Sequence, residues 1–566
     1  MHDESFMKSL FFGLIDESRV FPWPERSPAE IDTAHSMTDR VRQFFERPLD
    51  SPQGDPRARE RTIIGLKNLG CFGTLVPQAY GGLELSRTAH LRVLQEVASG
   101  DPNVSAVLNA HHLGVRTLLL FGSNAQKARH LPALARGDTV AEFALAEVGA
   151  GSDAAALQAR ADRQPDGTYR VGGSKLCVSD PALADLFVVF ARTSEPEEGV
   201  RPKITAFLVE RGPGVSSRPA TPGAAAASPS ELVLDDVRVG KEHVCGEPGE
   251  GFRIAMQILG GGRLGVSCHC IGICKRAIQQ SVSRCKTERA FGRPIGELEL
   301  VQDKIATMVS LTWALESMTY LTAAMESSDG DPAPIESAIC KVYAGDAVSR
   351  VTAHAAQIAA AAGRASDQTC QGLLDAARQG LVHYETSEVV RAYIALLGMQ
   401  GPGRELADVA RAVREPIRSF GLLGELAIRK ARNALRAGKM TRHAALFERE
   451  AKVFEHYAHV LAGEVDRVLR KHGRDIAEMQ CSQERIADMA IALYAIAACI
   501  ARTTRALERR GEDGARRETD LTRLVVAATA RRLAALEAAM TRNDDELRRT
   551  VSTRTCADGS YPFDVI

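Results

Sequence analysis

The chain has 566 residues, 45% of them apolar, and its 71 Lys and Arg are matched by 71 Asp and Glu. That length exceeds one compact core and implies about three or four packed units with a large buried interior. The balanced charge supplies no net field for nucleic acid and leaves at most peripheral membrane contact, so a small molecule or a protein is the expected partner.

The first residues, "MHDESFMKSLFFGLIDE", have an acidic head and only a short apolar run, and read as an amphipathic helix and not as a signal peptide. "SPAEIDTAHSMTDRVRQFF" opens with Ser27 as N-cap and Glu30 three places on, a capping-box pattern, and helical periodicity continues to about residue 140. The texture then changes. "GTYRVGGSKLCVS", "ADLFVVFA", "KITAFLVE" and "SELVLDDVRV" are short β-branched or aromatic runs between Gly, Pro, Asp and Ser, which predicts a β domain over 141–245.

From Gly251 the helical period returns, with Leu300, Ile305, Met308 and Leu311 expected near one face of a helix, and a helical bundle is predicted over 246–430. A Gly- and Pro-bearing segment and a basic stretch then set off a last helical block, 431–566. Its apolar run from Met489, "MAIALYAIAACIA", falls short of the ~20 residues of a membrane span and reads as a buried helix. The fold class expected is mostly α with a central β domain.

The 12 cysteines lack paired spacing, which predicts reduced thiols and a cytoplasmic or organelle-matrix protein, the cytoplasm being the first expectation. In "CHCIGIC", residues 268–274, only Cys270 and Cys274 share a helix face and no His-Cys framework follows, so buried thiols are expected there and no metal site. "FALAEVGAGSD", residues 143–153, gathers Gly149, Gly151, Ser152 and Asp153 in a turn that exposes backbone N–H groups to an anion or a flavin edge. No strand–GxGxxG–helix unit surrounds it.

"GLKNLGCFGTLVPQAYGG", "FALAEVGAGSD", "GGSKLCVSDPALADLFVVFA", "LDDVRVGKEHVCGEPGEGFRIAMQILGGGR" and "AFGRPIGELELVQDKIATM" follow the order and spacing of the acyl-CoA dehydrogenase family, which the chain resembles over nearly its whole length. The tail "ERIADMAIALYAIAACIARTTRAL" is similar to the very-long-chain type. The resemblance implies a helical domain, a β-barrel-like domain and a helical bundle, followed by a C-terminal helical domain. It also implies a homodimer, FAD as cofactor, acyl-CoA as substrate, and electron-transfer flavoprotein as the acceptor of electrons from 2,3-dehydrogenation.

That chemistry requires a carboxylate to remove the α-proton, a flavin to accept hydride from the β-carbon, and two hydrogen bonds to the thioester carbonyl. By resemblance, FAD would meet Leu145, Ala146, Gly151, Ser152, Ser179, Arg289, Phe291, Gln357 and Thr386, and the substrate Ser152 and Arg263. The family motif aromatic-Glu-Gly-Thr-Asn-Asp/Glu, laid on "HYETSE", puts Tyr384 at the base and Glu385 one residue beyond it. A tyrosine, with a pKa of ~10, is a poor base at neutral pH. The second location some family members use, just before Arg263, is Gly262.

The flavin motifs depart as well, so FAD binding is expected to be weakened or lost. The family's Thr and Pro are Ala146 and Val148, its Trp is Cys177, its pyrophosphate Arg is Glu288 with Arg289 beside it, and its Gly-Gly pair is Ala360-Ala361. Two readings follow. In the first the chain is an impaired or non-catalytic scaffold, assembling with itself or with an active paralogue. In the second it is an active FAD-dependent acyl-CoA dehydrogenase with Glu385 as its displaced base.

Overall fold

The computed structural model describes residues 5–46, 56–177, 181–194, 202–219, 230–325, 333–359, 368–382, 385–414 and 438–564. The chain forms two units, residues 1–22 with 391–566, and residues 23–390. A short helix α1 (Phe6–Leu10), capped by Ser5, opens the first of these and buries Phe6, Met7 and Leu10.

The second unit begins with helices α2 (Pro28–Glu46), α3 (Pro56–Asn68), α4 (Arg87–Gly100), α5 (Pro102–Phe121) and α6 (Asn124–Arg136). Ser27 caps α2 as its sequence predicts, accepting the Glu30 N–H at 3.2 Å. The reciprocal half of the box is not made, because the Glu30 carboxylate bonds Ser86, the N-cap of α4, and lies 3.7 Å from Arg26.

The sheet follows. Its strands are β1 (Ala141–Ala144), β2 (Arg160–Arg163), β3 (Tyr169–Cys177), β4 (Leu186–Arg192), β5 (Ile204–Glu210), β6 (Val215–Pro219), β7 (Ser230–Val239) and β8 (Val244–Cys245). The order is β6-β7-β3-β2-β4-β5-β8, antiparallel except where β1 and one residue of β2 run parallel to β4. β4 is buried on both faces: Leu186, Val188 and Phe190 join a core with α5, α6 and the start of the next helix, while Phe187, Val189 and Ala191 join the core on the other face. Side chains alternate along a strand, so a strand covered twice reads as one continuous apolar run, as "LFVVFA" does.

Among the described residues, four further helices follow in this unit: α7 (Gly251–Thr287), α8 (Glu299–Met325), α9 (Pro334–Ala359) and α10 (Gln368–Val382). A two-stranded hairpin, β9 (Arg289–Ala290) with β10 (Arg293–Pro294), joins α7 to α8. Met308 is fully buried and Ile305 and Leu311 pack beside the core, but Leu300, expected on the same face, is 78% exposed in the first turn of α8. Cys268, Cys270 and Cys274 are buried thiols of α7, and burial pushes that of Cys270 up to about 12.

The other described elements of the first unit are helices. α11 (Ser387–Arg414) enters it, followed by α12 (Glu448–His472), α13 (Gln480–Gly514), α14 (Arg516–Thr541) and α15 (Asp545–Asp558). The run from Met489 is buried in α13, as its length predicts. Phe6 of α1 stacks on Phe454 at 6.3 Å, so the first residues of the chain pack with its last helices.

Candidate functional site

The connection from α10 to α11 carries Glu385 and Thr386; Tyr384, at the expected place of the base, lies outside the described residues. Glu385 is not a free carboxylate. Arg263 of α7 grips it side-on, Nε to Oε2 at 2.8 Å and Nη2 to Oε1 at 3.0 Å, with the two side chains 6% and 17% exposed. Arg263 also donates to the Pro334 carbonyl at 3.4 Å. From the other side, Lys341 of α9 donates to the Glu385 carbonyl and, at 3.1 Å, to that of Leu381. Burial lowers the Lys341 ammonium to about 8, against the opposing pull of Cys270 and Glu385. Residue 385 is thus held at its side chain by one helix and at its backbone by another.

Gly262 precedes Arg263 on α7. A Cβ there would stand 2.8 Å from Leu113 Cδ2, so the end of that leucine side chain of α5 would have to shift to admit one. Glycine leaves this second expected location without a carboxylate.

The turn after β1 is built from a buried ion pair. Lys175 of β3, 0% exposed, bonds Glu147 at 2.6 Å and the Leu145 carbonyl at 3.2 Å. Glu147 also accepts the N–H groups of Gln158 at 2.5 Å and Ala159 at 3.0 Å. Above this pair, Leu145 is buried and Ala146 half-buried, while Val148, Gly149, Gly151 and Ser152 are exposed. Sequence reading missed both Glu147 and Lys175. The available signal was a lysine inside a strand, since a fully buried lysine requires a partner.

Of the other expected residues, Arg289 and Phe291 lie on the β9–β10 hairpin, Arg289 exposed and bonded to the Gly292 carbonyl at 2.7 Å, Phe291 92% exposed with φ of +51°. Glu288, the charge reversal in the motif, is neutralised by Arg284 one turn earlier at 2.8 Å. Gln357 of α9 is exposed and Thr386 half-buried. Ser179 and the Ala360-Ala361 pair fall outside the described residues, and Cys177 ends β3. Direct contact joins Arg263 with Glu385; the remaining described residues fall on the turn after β1, the β9–β10 hairpin, α9 and the α10–α11 connection.

Family models for the acyl-CoA dehydrogenase N-terminal, middle and C-terminal domains match residues 32–138, 142–237 and 249–414, and the ACAD9/ACADV C-terminal domain matches 445–561. The chain is 35% identical over 523 residues to the very long-chain specific acyl-CoA dehydrogenase of Homo sapiens, covering 89% of this chain and 79% of that protein. It belongs to the acyl-CoA dehydrogenase family. The mitochondrial enzyme of Bos taurus is 34% identical over the same shares of both chains.

Among solved structures, an acyl-CoA dehydrogenase of Bacillus anthracis complexed with FAD shares the fold over 98% of this chain and 96% of its own, with a TM-score of 0.78 at 23% identity. Butyryl-CoA dehydrogenase of Megasphaera elsdenii is 30% identical, with a TM-score of 0.60 over 65% of this chain and 98% of its own. The acyl-CoA dehydrogenase fold of a helical domain, central sheet and helical bundle is therefore present here, followed by the C-terminal helices of the very-long-chain type.

Proposed function

We propose that this protein is an acyl-CoA dehydrogenase-type chain that binds FAD and acyl-CoA but is impaired in removing the α-proton, and that it serves as a scaffold or partner subunit. The observation carrying this reading is the Arg263–Glu385 pair. With Tyr384 at the base position, Glu385 is the nearest candidate carboxylate, and both its oxygens are engaged by a guanidinium on the neighbouring helix. A carboxylate so held has both oxygens occupied, and freeing one for a substrate proton costs the strongest kind of side-chain hydrogen bonding.

The described residues of the 145–153 turn and of the β9–β10 hairpin leave room for that group. Gly149 and Gly151 face open space, the turn bearing them is braced from beneath, and the negative charge of Glu288 is cancelled so that Arg289 stands as an exposed cation. Bound FAD would supply the hydride acceptor. Leu145, Ala146, Gly151 and Ser152 would hold its ring edge, and Arg289 with Phe291 its distal half. Arg263 would act on the substrate only by holding the 383–386 connection in place.

The test loads wild-type protein with FAD and mixes it anaerobically with straight-chain acyl-CoAs while the flavin absorbance is followed. The expected result is an absorbance that persists or falls very slowly. Rapid bleaching that disappears in Glu385→Gln would overturn the reading and make Glu385 a working base.

A further inference from the structure

We infer that Glu147 and Lys175 are a positioning pair whose buried contact fixes the 145–153 turn in the form that receives the flavin; this rests on the flavin reading above. A buried ion pair is weak evidence for stability, since desolvating two charges offsets their attraction, and it calls for another account. The geometry supplies one. The Glu147 carboxylate takes three donors at once, the Lys175 ammonium and the N–H groups of Gln158 and Ala159. Those two residues close the segment that Leu145 opens, and Lys175 holds Leu145 by its carbonyl. Both ends of a 15-residue excursion, Leu145 to Ala159, are therefore gathered on one charged pair.

The rest of the excursion is held by Leu145, Ala150 and Leu157, which pack into the core, and by a few backbone bonds at the tip. Glu147 and Ala150 exchange two backbone bonds of 3.3 and 3.0 Å, the Ala146 carbonyl accepts the Leu176 N–H at 2.7 Å, and Ala150 is the one residue of 148–153 that is buried. Val148 is 78% exposed and anchors nothing. The placement of Ala146, Gly151 and Ser152 is thus set by the charged pair and hydrogen bonds together with the burial of their neighbours Leu145 and Ala150. A small displacement of such a turn is enough to spoil contacts to a planar ligand edge.

The experiment compares wild type with Lys175→Met, Glu147→Gln and the double variant, reading FAD affinity by quenching of flavin fluorescence and amide hydrogen exchange of residues 148–153 without FAD. Lys175→Met leaves a buried carboxylate without its cation; FAD affinity is expected to fall at least about tenfold, with faster exchange confined to the turn. The double variant removes both charges and is expected to recover part of each loss, because replacing both partners costs less than orphaning one. Unchanged exchange and unchanged affinity in Lys175→Met would overturn the inference. If that variant does not fold, Glu147→Asp carries the same comparison, since it keeps the charge and shortens its reach; unchanged exchange there also overturns it. A wild type that binds no FAD counts against the flavin reading alone, and exchange then decides the pair: faster in Lys175→Met supports it, unchanged contradicts it.

Discussion

By its resemblance the sequence puts Tyr384 at the expected place of the base and Glu385 one step away, an expectation formed without a structure. What the sequence could not show is that this glutamate already has a partner 122 residues earlier, since nothing local in "HYETSEVVR" points to Arg263. Contacts at that separation belong to the fold. The pair gives a stability prediction: Arg263→Leu strands a largely buried carboxylate and is expected to cost about 3 kcal/mol in urea denaturation. Arg263→Met with Glu385→Gln is expected to cost less than Arg263→Leu alone, and a double variant as unstable as the sum of its singles would mean the two side chains are not coupled.

The strands that could be read are those with an apolar signature: β3, β5 and β7 lie inside segments picked out by their β-branched or aromatic residues, and β4 runs one residue past its segment. β2 and β6, "RADR" and "VSSRP", are polar and mostly exposed, and carry no such signal. The helices hide a second feature, a polar cluster in an apolar interior. Thr74 Oγ lies 2.9 Å from His90 Nδ1 and 3.0 Å from His112 Nε2, while His111 accepts the Ala141 N–H at 3.2 Å and faces the Phe72 carbonyl at 3.2 Å. All three imidazoles are fully buried. Burial first, then neighbouring charges including Arg87 and Lys67, holds them below the ordinary histidine value, His111 at about 4.

The folded state therefore keeps them neutral while an unfolded chain protonates them near pH 6.5. Stability is full above that value and falls as pH drops toward 4, with up to three extra protons bound on unfolding and a limiting slope of about 4 kcal/mol per pH unit. Denaturation midpoints measured from pH 7.5 to 4.5 check this, and His112→Asn is expected to reduce the slope by about one proton. A stability flat across that range would contradict the cluster's role. In the C-terminal helices the comparable element is Asp488 of α13, which bonds Arg391 of α11 at 2.9 Å and Arg532 of α14 at 2.6 Å. Asp488→Ala is expected to cost about 2 to 3 kcal/mol, less than a fully buried pair because Arg532 is 45% exposed.

For the molecule as a whole, composition and period gave the sequence of helical, β and helical regions, while the packing of residues 1–22 with the C-terminal helices depends on a handful of apolar side chains, Phe6 and Met7 among them, too few to register as a pattern. We expect a homodimer of about 122 kDa, twice the 61.0 kDa chain, as closed two-fold assembly requires; light scattering that finds a stable tetramer would refute this. The central claim concerns proton abstraction, and the measurement closest to it is solvent-deuterium incorporation at the α-carbon of a saturated acyl-CoA, followed by mass spectrometry. Wild type is compared with a Tyr384→Glu, Glu385→Gly double variant, which returns the carboxylate to the family's place and releases Arg263. The account predicts negligible exchange with wild type and a rate on the order of 10²- to 10⁴-fold higher with the double variant. Exchange by wild type as fast as by the double variant, and lost in Glu385→Gln, would contradict it.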